Sequence, residues 1–359
     1  MTDSTNKTNV FSVFYNLKSA LGGIGIPTLI IAAFWLTNLI GAYFVGISVQ
    51  TLLSDTLRRA GMNGVLVLAM VPAIQSGTGP NFALPIGIVC GLFALVCAIE
   101  FNFTGATCLF ASIILSVPIA AVAGYVYGKL LNAVKGSEMT IATYTGFSVT
   151  ALMCLVWMMV PFNNPKMGWF IGTGLRETIQ LGAVDASQIF NNFMAFKVGE
   201  VTIPTGLLLI FAFFSVLVWL FFNSKSGIAI SAGGTNPKFA QAAGLNIDRN
   251  RIWANILSTV LGAIGIIIYS QSFGYAQLYT APLMMAFPAV AAILIGGATA
   301  SRANVLNVII GVFLFQGLLT SALPVANELF RGTDLSEVMR MIIQNGIILY
   351  ALTQVKRRA

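Results

Sequence analysis

The sequence predicts an all-α polytopic membrane protein with about ten membrane-spanning helices. Of its 359 residues, 57% are hydrophobic and 8% are charged, and the mean hydropathy is +0.87. Soluble globular domains carry about 25% charged residues. Apolar runs of about 20 residues, the length that crosses a bilayer, recur along the chain. Polar stretches are too short for a separate soluble domain, so we expect one transmembrane domain over residues 1–359.

Apolar runs divide the chain into ten predicted spans. In chain order they cover residues 24–46, 61–75, 82–100, 104–128, 143–161, 203–222, 253–273, 282–297, 303–323 and 338–354. Between the first two, residues 48–61 place Leu52, Leu53 and Leu57 on one helical face. This pattern is typical of an amphipathic helix that lies in the membrane interface.

The positions of the basic residues predict the orientation, because cytoplasmic loops carry an excess of lysine and arginine. With ten spans and the N-terminus inside, most of the 19 basic residues lie on the cytoplasmic side. Both termini, the N-terminal segment 1–23 and the loop 223–252 are then cytoplasmic, and Arg58 and Arg59 are outer exceptions. The first 20 residues are polar and lack an apolar core, so we expect no removable signal peptide.

Other chemistries lack their residues. Histidine is absent, and the four cysteines show no paired metal-ligand spacing, so we expect no metal site and no catalytic residues. The basic residues lie at the ends of apolar runs, which argues against nucleic acid and for contact with the lipid bilayer. A phosphate-binding loop needs G-x-x-x-x-G-K-[ST], and the nearest segment, GYVYGKLL at 124–131, lacks the spacing and the hydroxyl. We therefore expect a non-enzymatic chain that binds no ATP or other cofactor.

One polar stretch, GGTNPKFAQAAGLNIDRNR at residues 233–251, lies between two long apolar runs. Asn236 is suited to cap a short helix whose first position is Pro237. Gly244 is suited to the left-handed residue that ends such a helix. A two-turn helix is marginal in isolation, so something must pack on it. It is either a connector in the membrane interface or a docking element for a cytosolic partner.

The residues around this helix have expected roles of their own. The small side chain of Ala240, one turn into the helix, would permit close approach of a partner. Asp248 is expected to cap the next helix. The first turn of that helix would place Arg249 and Arg251 at the membrane face.

Residues 226–258 resemble the cytoplasmic loop of the ribose-type ABC importer permeases, of the branched-chain amino acid and monosaccharide superfamily. Residues 289–323 resemble a later segment of the same family, and the similarity covers about 45–355. The matching loop positions are Gly227, Ala232, Gly233, Gly234, Asn236, Ala242, Gly244 and Asn246. In that family the short helix is a coupling helix, which docks in a groove of the ATPase subunit. The resemblance assigns that role to Asn236, Pro237, Lys238, Phe239, Ala240, Gln241, Ala242, Ala243 and Gly244.

The resemblance implies a permease subunit of an ATP-driven importer in the bacterial cytoplasmic membrane. Its partners would be ABC ATPase subunits that hold ATP and magnesium, a second permease copy or a sister permease, and an extracytoplasmic solute-binding protein. The family's most common cargo makes a simple sugar the first expectation, with nucleosides or another small polar solute as alternatives. An autonomous secondary transporter and a non-transporting membrane scaffold are the rivals from other classes.

Two interrupted segments are candidates for the translocation path: QSGTGPN at 75–81 and GYAQLYTAP at 274–282. Irregular backbone at membrane depth is tolerated only where it is buried in protein or lines a water-filled cavity. The family's carboxylates are missing in both places, where they either lined the path or were helix caps that Asn81 and Thr280 replace. Tyrosines near span ends are also typical of the interfacial aromatic belt. The predicted path residues are Gln75, Thr78, Asn81, Phe82, Tyr275, Gln277 and Tyr279.

Overall fold

A computed structural model describes residues 25–169 and 174–329, together with positions 338, 341–342, 345–346, 348–350 and 353. The described chain is almost entirely helical, which confirms the predicted fold class. Its helices are α1 Ile26–Phe44, α2 Val49–Leu68, α3 Met70–Gln75, α4 Leu84–Glu100, α5 Gly105–Ala133, α6 Glu138–Met159, α7 Ile189–Asn192, α8 Thr205–Asn223, α9 Lys225–Thr235, α10 Pro237–Ala242, α11 Ile247–Phe273, α12 Ala281–Met284, α13 Ala286–Ile295 and α14 Val305–Leu329.

Seven elements of the described chain are long and apolar enough to cross a membrane: α1, α2 with α3, α5, α6, α8, α11 and α14. Two shorter apolar elements, α4 and α12 with α13, add to them. These nine correspond to the first nine predicted spans. The N-terminal segment 1–23 lies outside the described residues, as do eight of the 17 residues of the tenth predicted span, 338–354.

Helix α11 lies at the centre of the bundle and packs against α5, α4 and α2, while α14 packs against α2, α1 and α13. Close approach depends on small residues, as is usual between membrane helices. A methyl group built on Gly124 of α5 would lie 2.8 Å from the Cα of Ile256 in α11. One built on Gly91 of α4 would overlap the carbonyl oxygen of Ala263. The core therefore holds α11 backbone against backbone on two sides.

The predicted interfacial helix at 48–61 is wrong. These residues form the first half of α2, which continues with α3 as a single 27-residue element, Val49–Gln75. Ser48 caps its start by accepting from the Thr51 amide. Thr56 is buried and shares a 2.8 Å hydrogen bond with Thr320 of α14. A polar residue of the segment is therefore buried against another helix of the bundle, and the segment continues into the span as part of one element.

Arg58 is held by a hydrogen bond at the end of the bundle where α11 terminates. Its guanidinium donates to the carbonyl oxygen of Ser272, in the last turn of α11, at 2.8 Å. Carbonyl groups at a helix C-terminus carry partial negative charge and attract cations. A structural bond therefore accounts for one of the two basic residues that the orientation prediction left on the outer side.

Short strands gather at this same end. Strand β1, Thr178–Gln180, pairs antiparallel with β4, Tyr275–Gln277, directly after α11. Strands β2, Phe196–Val198, and β3, Val201–Ile203, form a hairpin. The hairpin is tied to α2 because the Thr202 amide donates to the Ser54 hydroxyl at 2.9 Å. Residues 178–180, in the connection between α6 and α8, thus lie beside the second interrupted segment.

Candidate coupling and translocation site

The short polar helix is present as predicted. Helix α10 begins at Pro237, and Asn236 caps it by accepting from the Phe239 amide at 3.1 Å. Gly244, with φ +81°, ends the turn that follows. Local residue chemistry at both ends therefore fixes this element. The preceding glycine-rich residues 225–235 form a further helix, α9, which the sequence did not indicate.

The exposed face of α10 differs from the expected one. Ala240 is 1% exposed and faces its own chain, so the expectation that its small side chain receives a partner is wrong. Phe239 is 70% exposed instead. Pro237, Lys238, Gln241, Ala242, Ala243 and Gly244 are exposed as well. An aromatic side chain presented to solvent by a capped polar segment is a typical contact for a protein partner.

The start of α11 also departs from expectation. Asn246, rather than Asp248, caps the helix by accepting from the Arg249 amide at 3.0 Å. Asp248 instead pairs with Lys135 at 2.5 Å, with both side chains half exposed. Asn246 takes the cap position because the helix begins at Ile247, two residues earlier than a cap at Asp248 predicts.

Arg251 does not lie at a membrane face. It is buried and forms an ion pair with Glu138, the first residue of α6. Glu138 also accepts from the Gly136 amide at 2.9 Å. The ion pair joins α11 to α6 next to α10. Sequence reasoning missed it, although an acidic residue among the basic residues of the inner loops was a signal.

A polar cavity of about 610 Å³ lies between α10, the start of α11, the start of α6 and the first interrupted segment. Two cations and two carboxylates on its wall are paired with each other. The charges on the cavity wall therefore cancel. The cavity lies between α10 and the first interrupted segment. The lining includes Ser76, Gly77, Lys135, Glu138, Gly234, Gln241, Asp248 and Arg251.

In the first interrupted segment, the polar side chains bond within the chain. Gln75, half-buried, donates to the carbonyl oxygen of Ala303 at 2.6 Å. Thr78, buried, donates to the carbonyl oxygen of Ala73 at 2.9 Å. These bonds hold the break in protein, the first of the two circumstances in which irregular backbone is tolerated.

Asn81 is buried at the centre of a polar cluster. Its amide donates to the Ser258 hydroxyl at 2.8 Å, and the Tyr127 hydroxyl lies 3.2 Å from its oxygen. That oxygen also accepts from the Ala83 amide at 3.0 Å, directly before α4 begins. The cap residue of α4 is Ala83, and the helix has no side-chain cap bond, so the helix-cap interpretation of Asn81 is wrong. Thr280 makes no such cap bond at the start of α12. Ser258 and Tyr127 are members of the cluster that sequence reasoning missed.

The second interrupted segment lies at the other end of α11, a 27-residue helix about 40 Å long. Tyr275 is exposed, with its ring 5.8 Å from that of Phe273, while Gln277 and Tyr279 are half-buried. Burial, together with the nearby Glu177, raises the pKa of the Tyr279 phenol. Gln277 belongs to the strand that pairs with β1.

The seven predicted path residues therefore form two separate groups. The ring of Phe82 packs 5.7 Å from that of Phe287 in α13, the second helix after the second interrupted segment. Gln75, Thr78 and Asn81 form a polar group, in which Asn81 bonds to the first half of α11. Tyr275, Gln277 and Tyr279 form a second group that follows the end of α11. Their role in solute passage stays a prediction.

Comparison with known proteins supplies the family. The model of the family described as "Branched-chain amino acid transport system / permease component" matches residues 52–352. The galactofuranose transporter permease YtfT of Escherichia coli is 26% identical over 75% of this chain and 71% of its own length. The ribose import permease RbsC of Haemophilus influenzae is 22% identical over 83% of both chains. The galactose/methyl galactoside import permease MglC of H. influenzae is 24% identical, over 55% of this chain and 57% of that protein.

No solved structure matches this chain. The family match nevertheless spans most of the sequence, from the start of α2 to beyond α14, and includes the capped helix and both interrupted segments. The chain belongs to the family of branched-chain amino acid transport system permease components.

Proposed function

We propose that this permease subunit translocates a simple sugar into the cell, driven by ATP that separate subunits hydrolyse. The sugar is suggested by the relatives, whose names assign them galactofuranose, ribose and galactose with methyl galactoside. The observation that carries the ATP-driven mechanism is the capped helix α10, which presents Phe239 outward while Ala240 on its other face is buried against the chain.

The partners follow from this proposal. Two ABC ATPase subunits would bind ATP and magnesium and receive α10 in a groove. A second copy of the chain, or a sister permease, would complete the membrane unit, and an extracytoplasmic solute-binding protein would deliver the sugar. The family description names amino acids, so a branched-chain amino acid is the competing cargo.

Uptake by the reconstituted complex tests the cargo. Proteoliposomes that hold this chain, its ATPase and its binding protein, with ATP on the ATPase side, are expected to accumulate labelled ribose or galactose. Labelled leucine under the same conditions is the matched control and should stay at the level of vesicles without ATP. Leucine uptake without sugar uptake would contradict a sugar permease and support the amino-acid alternative.

The proposed site of action is the bacterial cytoplasmic membrane, with both termini and the α9–α10 segment in the cytoplasm. In a chain whose four native cysteines are replaced, Thr235→Cys should react with an impermeant maleimide only from the cytoplasmic side. Lys197→Cys, in the hairpin at the other end, should react only from outside; both positions are exposed. Labelling of the two positions from the same side, or in the reverse sense, would contradict the orientation.

A further inference from the structure

Helices α9 and α10, residues 225–242, form what we call the coupling segment. It contacts the first interrupted segment, residues 75–81, backbone to backbone. A methyl group built on Gly234, at the end of α9, would overlap the carbonyl oxygen of Gln75 and lie 2.7 Å from the Gly77 nitrogen. One built on Gly77 would lie 2.9 Å from the Gly234 Cα. Gly77 also has φ +78°, which glycine adopts without strain. Side chains are excluded from this contact on both sides.

The contact leads from the docking helix to two other parts of the bundle. Gly234 is two residues before Asn236, the single non-helical residue that joins α9 to α10, so a displacement of α10 reaches it over a very short stretch of chain. Gln75 carries the contact onward through its 2.6 Å bond to the Ala303 carbonyl, ahead of α14. Residues 76–80 connect the contact to Asn81, which is bonded to α11 through Ser258.

The segment 75–79 has room to move on its other sides. Three cavities border it, of about 610 Å³ beside α10, about 340 Å³ beside α8 and α14, and about 420 Å³ beside the start of α6. Close-packed interiors transmit displacement through direct contacts, whereas cavities let their walls move. The Gly234–Gly77 contact is therefore a close backbone contact with a segment that three cavities border.

We propose that Gly234 and Gly77 form a mechanical joint, in which the backbone of the coupling segment pushes directly on the interrupted segment 75–83. Gly234 is a positioning residue: it touches neither ATP nor solute. The joint rests on the proposed function, because it transmits a movement that the ATPase would start. It converts displacement of α10 into displacement of the segment that carries Gln75, Thr78 and Asn81.

Two adjacent glycines of α9 provide a matched test. A methyl group on Gly233 would meet no heavy atom within 4 Å, whereas one on Gly234 overlaps backbone. In the full complex, Gly234→Ala should retain its ATPase subunits and their basal ATP hydrolysis, while sugar transport falls about tenfold and stimulation of hydrolysis by the loaded binding protein is lost. Gly233→Ala should behave like the unchanged chain in all four measurements.

Wild-type transport by a folded Gly234→Ala complex would overturn the joint, as would loss of the ATPase from that complex, because the contact would then shape the docking surface. If Gly234→Ala does not fold, spin labels at the exposed Thr235 and Ser301 of the otherwise unchanged complex test the joint. Ser301 borders the same cavity as Gly77. A joint predicts that the two labels move together when ATP binds, and movement of Thr235 away from a stationary Ser301 would overturn it.

Failure of the proposed function is distinguishable from failure of the joint. A complex that keeps transporting after its ATPase is removed would refute ATP-driven transport whatever Gly234 does. In a complex whose unchanged chain transports only with ATP, loss of transport and of stimulated hydrolysis in Gly234→Ala, with docking and basal hydrolysis intact, supports the joint.

Discussion

Phe239→Asp is expected to release the ATPase subunits and stop transport, while the chain itself folds and inserts normally. Phe239 is 70% exposed on α10, so its replacement removes few contacts inside the chain. In the docked complex the new carboxylate would have to leave water without a pairing cation, which costs several kcal/mol. About 3 kcal/mol lowers an affinity more than a hundredfold. Co-purification of the ATPase and its binding by titration measure the effect.

Two control variants separate docking from folding. Phe196→Asp changes an aromatic residue that is 50% exposed, in the hairpin at the opposite end, and it should leave ATPase binding unchanged. Ala240→Asp places the same charge one residue along α10 but inside the chain, so it should lower the melting temperature of the chain itself. If Phe239→Asp binds the ATPase as tightly as the unchanged chain, α10 is a connector and not a docking element.

Glu138→Gln is expected to destabilise the chain by about 3 kcal/mol, because it leaves the charge of Arg251 buried without a partner. The side chains of Arg251 and Glu138 are 8% and 18% exposed. The chain also contains a matched exposed pair, Lys135 and Asp248, whose side chains are 52% and 55% exposed. Asp248→Asn should cost less than about 1 kcal/mol, since water screens exposed ion pairs.

Thermal unfolding of the purified chain in one detergent measures both losses. The double variant Glu138→Gln with Arg251→Gln should recover part of the stability that the single variant loses, because it buries no unpaired charge. Equal, small losses for Glu138→Gln and Asp248→Asn would contradict a structural role for the buried pair. A double variant less stable than either single variant would contradict it as well.

Much of the bundle could be predicted because apolar length is a local property of the sequence. Seven of the nine described spans are apolar helices of the length that a bilayer demands. The capped helix α10 was predictable for the same reason: Asn236, Pro237 and Gly244 each act within a few residues of themselves. Neither prediction required knowledge of a distant part of the chain.

The wrong predictions concern features that depend on contacts between residues far apart in the sequence. Residues 48–61 look amphipathic, yet their polar groups find partners in α14 and at the end of α11, so the helix enters the bundle. The sequence did not show which face of α10 meets the chain, and the small side chain of Ala240 suggested a contact with a partner at a position that is buried. The Gly234–Gly77 contact joins residues more than 150 positions apart and has no signal in either segment alone.

The energy source of transport is the most direct test of the proposed function. Proteoliposomes with the complete complex and an impermeant supply of ATP on the ATPase side should accumulate labelled sugar without any ion gradient. Vesicles without ATP should accumulate none when a proton or sodium gradient is imposed, and the Phe239→Asp complex should accumulate none even with ATP. Gradient-driven uptake by this chain in the absence of ATP and of the ATPase would identify a secondary transporter and contradict the ATP-driven permease.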